Sequence, residues 1–295
     1  MDKPLVTVSI ITYNSAGTVI ETLDSIYAQT YPDIELIISD DYSSDETVNL
    51  CRNWVMKNGS RFQACKILES ARNTGITANC NRAIADANGR FLKLLAGDDL
   101  LEPYAVSEYV RYMLDNPQSV YVFSKVTVFG NNPDAIRLFT DTIFDYSFFN
   151  LEKKEQYEWL IGHWFQPIPA ASAFVSIENA KNAGVYYFDE RIPMLEDWPK
   201  WILLSQKGID FCFIDKPLVR YRVTDNSVCS GERYKDSFIK SRTLLYRYCQ
   251  FKPTIKLFGL RRAVFLYIKN MAKSTNHPFW TTLFRISSYF LRVRK

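Results

Sequence analysis

The first 100 residues of the chain repeat one pattern, in which a short apolar run is followed by a polar turn and then by a helical stretch. The apolar runs are rich in β-branched residues, as expected of strands buried on both faces, and they cover residues 5–11, 34–39, 64–69 and 90–95. Apolar residues at helical spacing predict helices over about 16–29, 43–59 and 76–88. Strands that alternate with helices predict a parallel, doubly wound sheet with right-handed crossovers.

The pattern changes after residue 118. Strands are expected over 119–130, 169–177 and 209–223, and helices over 178–183 and 195–207. These segments predict a mixed continuation of the same sheet, so we place no domain boundary before about residue 236.

Acidic residues stand at the ends of two predicted strands, as Asp40-Asp41 and Asp98-Asp99, and Tyr13-Asn14 ends the first strand. In a parallel sheet, ligands bind beyond the carboxyl ends of the strands. Adjacent carboxylates such as Asp98 and Asp99 repel each other, and a bound Mg²⁺ or Mn²⁺ removes that repulsion. The alternative is a solvated turn that helps to cap a helix near 103–114.

Tyr13 and Asp41 are expected at neighbouring strand ends, where an aromatic face and a carboxylate suit a nucleobase with an imide N–H. Alternatively, Tyr13 is an aromatic residue at the rim and Asp41 belongs to an ordinary turn before a helix. Ser43 with Glu46 predicts a capping box at the start of that helix.

Glu196-Asp197 is a third acidic pair. It fits the N-terminus of a helix, where the dipole stabilises a carboxylate. It also fits a general base that removes a proton from a hydroxyl. The local sequence does not decide between these roles.

The charge is divided unevenly along the chain. Residues 1–236 carry 23 Lys/Arg and 32 Asp/Glu, whereas residues 237–295 carry 13 Lys/Arg and no acidic residue. The six cysteines are scattered without a C-x-x-C pair, and no export signal or uncharged apolar stretch of 18 residues is seen. These features argue against a disulfide framework, a zinc ribbon and a membrane-spanning segment. We therefore expect the protein in a reducing cytoplasm.

Six segments in order resemble glycosyltransferase family 2 and cover residues 4 to about 230. They are VSIITYN (8–14), SDDYSSDET (39–47), RNTGITANCNRAI (72–84), LLAGDDLLEP (94–103), LEDW (195–198) and PLVRYRVTDNSVCS (217–230). The resemblance implies an α/β fold of the GT-A type: a doubly wound, mostly parallel mixed sheet with helices on both faces. It also implies a donor half over about 1–118 and an acceptor half over about 119–236.

The resemblance implies a role for each matching residue. Tyr13 and Asp41 would hold the nucleotide base, Asp98 the ribose or sugar, and Asp99 a Mg²⁺ or Mn²⁺ ion on the diphosphate. Asp197 would be the base of an inverting transfer. Three asparagines match positions that line or support the donor site, namely Asn14, Asn73 and Asn81.

The chain departs from the family pattern at three positions. Tyr42 replaces a common glycine in the loop near the ribose, and Ala96 replaces an acidic residue two positions before Asp98. Thr224 stands where a histidine is frequent, which removes a possible metal ligand. Arg220 or Arg222 would then stabilise the leaving diphosphate directly. The two histidines, His163 and His277, match no catalytic element and are expected to be structural.

The tail, residues 237–295, places aromatic and leucine residues at helical spacing among Lys and Arg. This pattern is typical of helices in a membrane interface, and the alternative is packing on the catalytic domain with the basic residues outward. No recognition motif accompanies the charge, so we expect no nucleic-acid partner.

The sequence thus predicts an inverting transferase that uses a UDP-sugar and a glycan or lipid-linked acceptor in bacterial-type surface polysaccharide synthesis. We expect it at the cytoplasmic face of the cell membrane, on an anionic surface. Two alternatives remain open. One is a membrane-associated scaffold with a degenerate nucleotide site, and the other is a nucleotidyltransferase, although TYNSAGTVI lacks a basic residue after the first strand.

Overall fold

One mixed sheet runs through the computed structural model, which describes residues 3–163, 167–224, 235–275, 279–280 and 282–284. Its strands within these residues are β1 (Val6–Thr12), β2 (Ile34–Asp40), β3 (Ala64–Glu69), β4 (Phe91–Ala96), β5 (Leu100–Leu101), β6 (Tyr121–Gly130), β7 (Phe174–Ser176) and β8 (Phe211–Val223). The strand order is β3-β2-β1-β4-β7-β6-β8-β5.

Helices pack on this sheet, and two more helices follow its last strand in the chain. The α-helices of the described residues are α1 (Val19–Tyr27), α2 (Thr47–Asn58), α3 (Ile76–Ala85), α4 (Ala105–Asp115), α5 (Pro133–Leu138), α6 (Lys153–Gly162), α7 (Ile177–Asn182), α8 (Asp197–Gln206), α9 (Lys235–Leu245) and α10 (Phe251–Thr275).

The first four strands form the predicted parallel unit. β1 lies between β2 and β4 and is parallel to both, and β3 adds to the far side of β2 in the same direction. The register pairs Thr12 with Asp40 and Ile11 with Ala96. The carboxyl ends of β2, β1 and β4 therefore lie side by side.

Helices cover both faces of the sheet. Successive residues of a strand point to opposite faces, so one strand contributes side chains to the packing on both sides. Phe91 and Leu95 of β4 join a core that contains residues of α1, α2 and α4. Leu92 joins a second core with residues of α6, α7 and α8. This arrangement agrees with the α/β fold that the sequence predicts.

The second half of the sheet is mixed. β7 is antiparallel to both β4 and β6, and β6 runs parallel to β8 with an irregular register near Ser124. β7 is shorter than the strand predicted over 169–177, because Ala170–Ser172 forms a 3₁₀ turn in which Ser172 Oγ donates to the Pro169 carbonyl at 2.8 Å. Pro169 has no N–H to contribute to a strand ladder.

The capping box predicted at Ser43 is wrong. Ser43 Oγ donates instead to Asp40 Oδ1 at 2.5 Å, and α2 begins at Thr47. The Thr47 N–H donates to Asp45 Oδ1 at 3.0 Å. Asp45 therefore takes the acceptor role that the sequence pattern gives to Ser43.

The described part of the basic tail is helical and packs on the second half of the sheet. Leu245 at the end of α9 lies in the second core. Gly259 has a φ of 81° and kinks α10. Beyond this kink Ala263 is fully buried, whereas Leu260 and Val264 are exposed.

The two histidines differ in what the structure shows of them. His163 lies at the end of α6 and stacks on Trp159 with ring centres 4.2 Å apart. This contact is a packing interaction. His277 lies outside the described residues.

We expect Gly89→Ala to destabilise the fold. A Cβ at Gly89 would lie 2.6 Å from the Thr7 nitrogen and 2.8 Å from the Phe91 carbonyl oxygen, and both are backbone atoms. Overpacking of this kind lowers the free energy of unfolding by about 1–3 kcal/mol. Thermal unfolding checks it against Gly17→Ala, where no atom lies within 4 Å of the new Cβ. Equal melting temperatures for the two variants would contradict the packing seen at this turn.

Candidate active site

The ends of β2, β1 and β4 bring the predicted donor residues together. The Asp41 N–H donates to the Thr12 carbonyl at 3.0 Å, and the Gly97 N–H donates to the Ile11 carbonyl at 3.0 Å. Tyr13 directly follows Thr12 and so lies between the two acidic strand ends. Adjacent strands are about 4.8 Å apart, which places these ends within reach of one nucleotide.

The carboxylate of Asp41 is only 3% exposed and holds the start of α3. It accepts hydrogen bonds from Thr74 Oγ1 at 2.5 Å, from the Thr74 N–H at 2.9 Å and from the Gly75 N–H at 2.7 Å. Arg82 Nη2 lies 3.3 Å from the same carboxylate. A carboxylate offers about four lone-pair positions, so a nucleobase N–H at Asp41 would take the place of one of these donors.

Gly75 connects this site to a second segment of chain. It precedes α3 with a φ of 89°, and a Cβ here would lie 3.3 Å from the Pro193 carbonyl oxygen. Two residues on, Thr77 donates from its N–H to Pro193 at 3.2 Å and from Oγ1 to the Ile192 carbonyl at 2.6 Å. The first turn of α3 is thus bonded to the chain that leads into Glu196-Asp197.

Asn14 and Tyr42 are in left-handed backbone conformations, with φ values of 51° and 69°. Asn14 Oδ1 accepts the Ser44 N–H at 2.9 Å, and the Asn14 N–H donates to Ser43 Oγ at 2.8 Å. A non-glycine residue in this conformation costs roughly 1–2 kcal/mol, which gives a physical reason for the glycine common at position 42 in the family. The Tyr42 side chain is exposed beside this loop.

Tyr13 and Asn73 keep accessible side chains at the same edge of the sheet. Tyr13 is half-buried, and Asn73 is exposed immediately before Thr74. Both residues are therefore available to a ligand at the strand ends.

Asp98 and Asp99 follow β4 in a largely buried position. Asp99 is 2% exposed, and burial together with the Asp98 charge raises its pKa well above the usual range. Burial also raises the pKa of Asp98, although the charge of Arg222 opposes this shift. Asp99 Oδ1 accepts the Arg222 N–H at 2.8 Å. This pair has the oxygen chemistry of a site for a hard divalent cation.

Arg222 is fixed beside the acidic pair by contacts that the sequence does not reveal. Its Nε donates to the Asp98 carbonyl at 2.7 Å, and its Nη2 pairs with Glu21 at 2.6 Å. Its guanidinium also lies 4.5 Å from the centre of the Phe129 ring. Arg222 therefore presents a held positive charge at the end of β4.

A buried lysine lies on β4, the strand that the acidic pair follows. Lys93 has no exposed surface, and its ammonium donates to the carbonyls of Leu94 and Ala171. Burial lowers the pKa of Lys93 to about 7, while the Asp99 charge acts in the opposite direction. The lysine is a second positive neighbour of Asp99.

Glu196 and Asp197 lie at the start of α8. Asp197 is 8% exposed, and its Oδ1 accepts the Trp198 N–H at 2.7 Å. Burial and the Asp197 charge raise the pKa of Glu196 to about 8. The surroundings of Glu196 therefore favour its protonated form.

Cys80 on α3 lies near both Asp41 and the Glu196-Asp197 pair. Its thiol is buried, and its pKa is raised well above the usual range by burial and then by the charges of Glu196, Asp197 and Asp41. Asp41 and the Glu196-Asp197 pair therefore lie near one helix, on the same part of the molecule.

Asn81 supports the neighbouring segment and does not reach the strand ends. Its amide accepts the Phe188 N–H at 2.8 Å and donates to the Phe188 carbonyl at 3.0 Å. Residues 187–191 and α3 line an open groove of about 770 Å³ next to it. Arg82 lines this groove and also reaches Asp41, so it links the groove to the strand-end site.

Asp98 and Asp99 are the candidate metal residues of the described chain. Among the residues that the structure describes, no group of three or more His, Cys, Asp or Glu is arranged to hold a metal ion. Two carboxylates still suit Mg²⁺, which is usually bound by one or two carboxylates together with substrate phosphates and water.

We expect stability to depend on pH through Glu196. Because the fold favours its protonated form, stability is lost as the pH rises from the ordinary glutamate pKa of 4.5 through about 8. Between pH 5 and pH 8, the melting temperature of the Glu196→Gln variant should therefore fall less than that of the unmodified chain. Glu178→Gln, at an exposed glutamate, is the control. The same pH dependence in both variants and in the unmodified chain would refute the raised pKa of Glu196.

Two curated relatives align with this chain over most of its length. An uncharacterized glycosyltransferase of Methanocaldococcus jannaschii is 26% identical over 225 residues, which is 76% of this chain and 72% of the relative. The UDP-Glc:alpha-D-GlcNAc-diphosphoundecaprenol beta-1,3-glucosyltransferase WfaP of Escherichia coli is 25% identical over 240 residues, which is 81% of this chain and 85% of that protein.

Solved structures share the fold. Staphylococcus aureus TarS 1–349 in complex with UDP-GlcNAc superposes with a TM-score of 0.60 at 14% identity, over 92% of this chain and 80% of that one. The mannosyltransferase PcManGT of Pyrobaculum calidifontis, in complex with GDP-Man and Mn²⁺, gives 0.60 at 17% identity, over 99% and 86%. The chain spans 49% of a longer TarS structure. These likenesses confirm the mixed, mostly parallel sheet of the GT-A type.

The family match covers the strands and helices that build the donor-side site. Residues 7–168, more than half of the chain, match the family model described as Glycosyl transferase family 2. The chain therefore belongs to glycosyl transferase family 2.

Proposed function

We propose that this nucleotide-sugar glycosyltransferase works with inversion, and that it moves a sugar from a UDP-sugar to a glycan or lipid-linked saccharide in bacterial-type surface polysaccharide synthesis (O-antigen or capsule). The observation that carries the proposal is the series of hydrogen bonds from Asp41 through Gly75 and Thr77 to Pro193. It ties Asp41, at one acidic strand end, and the chain that leads into Glu196-Asp197 to the start of the same helix.

The relatives support the substrate classes. The name of the E. coli relative gives a UDP-Glc donor and a saccharide on diphosphoundecaprenol as acceptor. TarS was crystallised with UDP and with UDP-GlcNAc. A relative in Bacillus subtilis is named as a putative teichuronic acid biosynthesis glycosyltransferase.

The nucleotide would lie at the ends of β1 and β2. The half-buried ring of Tyr13 stacks on the base, and Asp41 accepts the imide N–H in place of one of its present donors. Asn14 holds the loop of Ser43 and Ser44 beside the ribose. The exposed amide of Asn73 adds a polar contact next to these residues.

The diphosphate would lie at the end of β4. Asp98 contacts the ribose or sugar, and Asp99 holds Mg²⁺ or Mn²⁺. Bound there, the cation neutralises charge on the departing diphosphate. Arg222 supports the same charge directly, because its contacts with Glu21 and the Asp98 carbonyl keep the guanidinium in place.

Asp197 would act as the general base. Its carboxylate removes the proton of the acceptor hydroxyl while the hydroxyl oxygen bonds to the anomeric carbon of the donor. The bond from that carbon to the diphosphate oxygen breaks, and its electron pair leaves with UDP. Attack opposite the leaving group inverts the anomeric configuration. The raised pKa of Glu196 favours its protonated form beside Asp197.

We expect Asp197→Asn to lower kcat by at least about 100-fold, since a general base typically contributes 10²–10⁴-fold. Transfer to a lipid-linked saccharide and the rise in melting temperature with UDP and Mn²⁺ are measured together. The UDP-induced shift should persist, because Asp197 lies outside the nucleotide contacts. Asp115→Asn, an exposed aspartate at the end of α4, is the control. Unchanged turnover in Asp197→Asn would remove the base assignment.

A membrane surface is the proposed partner of α10. No helix among the described residues is long and apolar enough to cross a bilayer. Around the kink at Gly259, however, α10 has a surface on which apolar and basic side chains alternate. Its exposed members are Lys256, Phe258, Leu260, Arg261, Arg262, Val264 and Tyr267. We call this the tail surface, and it suits peripheral binding to anionic lipid at the inner face of the cell membrane.

We expect the double variant Arg261→Glu/Arg262→Glu to bind anionic vesicles at least about 30-fold more weakly, since each basic residue near such a surface contributes roughly 1 kcal/mol. Co-sedimentation with phosphatidylglycerol–phosphatidylcholine vesicles measures the change. Point variants are preferable to truncation because α9 contributes Leu245 to the core. Lys57→Glu/Lys154→Glu, with the same charge change at exposed lysines elsewhere, is the control. Equal binding of the two double variants would exclude the tail surface as the lipid contact.

A further inference from the structure

Helix α9, the first helix of the basic tail, packs directly on the segment that carries the proposed base. We call residues 192–198 the base segment. Ser241 on α9 is fully buried, and its Oγ accepts the Met194 N–H at 3.2 Å. A tail residue therefore fixes the backbone of the base segment three residues before Asp197.

The next residue of α9 contacts the other end of the base segment. Arg242 is 4% exposed, and its guanidinium carbon lies 4.0 Å from the centre of the Trp198 ring. Trp198 is itself 4% exposed, and its N–H donates to the Asp197 carboxylate. The guanidinium thus stacks on the residue whose backbone orients the proposed base.

The Trp198 ring is also held at its edge. Its Nε1 donates to the Leu160 carbonyl at 3.0 Å, and Gln250 Nε2 donates to the same carbonyl at 2.9 Å. Gln250 is buried just before α10. Three tail residues therefore surround the base segment, two by direct contact and one through the shared carbonyl.

Opposite α9, the base segment is bonded to the donor half, because Thr77 on α3 donates to Ile192 and Pro193. We infer that Ser241 and Arg242 are positioning residues for Asp197, and that the tail completes the acceptor side of the site in addition to any role at a membrane. This inference rests on the proposed role of Asp197 as the base.

The physical reason is the geometry that proton removal requires. A base must lie within hydrogen-bond reach of the acceptor hydroxyl, and a displacement of about 1 Å is enough to lower the rate by roughly 100-fold. A desolvated guanidinium on an indole face is a strong cation–π contact, and the planar group stacks in a way that a lysine ammonium does not. Arg242 therefore restrains Trp198, and through it the start of α8.

The test uses Arg242→Lys in the full chain. This change keeps a basic side chain and removes the planar stacking. We expect kcat to fall by about 10- to 100-fold, with the KM for the UDP-sugar and the UDP-induced rise in melting temperature unchanged. Ser241→Ala removes the acceptor of the Met194 N–H and should lower kcat in the same direction. Arg247→Lys is the matched control, because Arg247 is exposed one turn further along the chain.

A double-mutant cycle separates positioning from general stabilisation. If Arg242 acts through Asp197, then Arg242→Lys should lower kcat in the unmodified chain and have little further effect on an Asp197→Asn background. Additive losses in the double variant would overturn the inference. It would equally be overturned by unmodified kcat in both Arg242→Lys and Ser241→Ala, or by losses of kcat and UDP binding that follow the melting temperature.

The same cycle distinguishes this inference from the proposed function. Unchanged turnover in Asp197→Asn alone refutes the role of Asp197 as the base. Arg242 would then have no catalytic carboxylate to position. A large loss in Asp197→Asn together with full activity in both tail variants refutes only the role of α9.

Discussion

The carboxylate of Asp41 is the interaction on which the arrangement of the site depends. It is buried at the end of β2 and receives the N–H groups of Thr74 and Gly75, where α3 begins. Because a buried carboxylate without donors is costly, these bonds fix the start of α3 relative to the sheet. Thr77, two residues after Gly75, then fixes Pro193 and the chain before Asp197. Asp41 and the segment that carries the proposed base are thus parts of one bonded unit.

The site contains three partly or fully buried acidic groups whose surroundings disfavour the charged form. Burial raises the pKa values of Asp98, Asp99 and Glu196, and in two of these a neighbouring carboxylate adds to the shift. Perturbed acids of this kind are concentrated at functional sites. Arg222 and Lys93 offset part of the cost at the end of β4. A cation bound to the aspartates and a diphosphate beside Arg222 would neutralise the remaining charge. This gives a physical reason for acidic residues at the end of β4.

Periodicity in the sequence was enough to predict the parallel unit, and the acidic residues at the strand ends were enough to predict that these side chains meet at one edge of the sheet. Contacts between distant residues had no local signal. Asp41 bonds Thr74 across 33 positions, and Arg242 stacks on Trp198 across 44. The capping box failed because Asp45 is a nearer acceptor for α2. The sequence shows Lys93 as a single charged residue within an apolar strand. Only the folded sheet brings the Ala171 carbonyl to its ammonium, beside that of Leu94.

The tail combines two surfaces that its composition does not separate. One face buries Ser241 and Arg242 against the base segment, and the other exposes apolar and basic residues around Gly259. If the site works as proposed, the acidic strand ends and Asp197 face one substrate. A crystal structure with UDP and Mn²⁺ would show whether they do. We expect the base at Tyr13 and Asp41, the ion at Asp99, and Asp197 facing the diphosphate end of UDP. Nucleotide bound elsewhere, such as in the groove beside α3, or an Asp197 side chain directed away from UDP would contradict it.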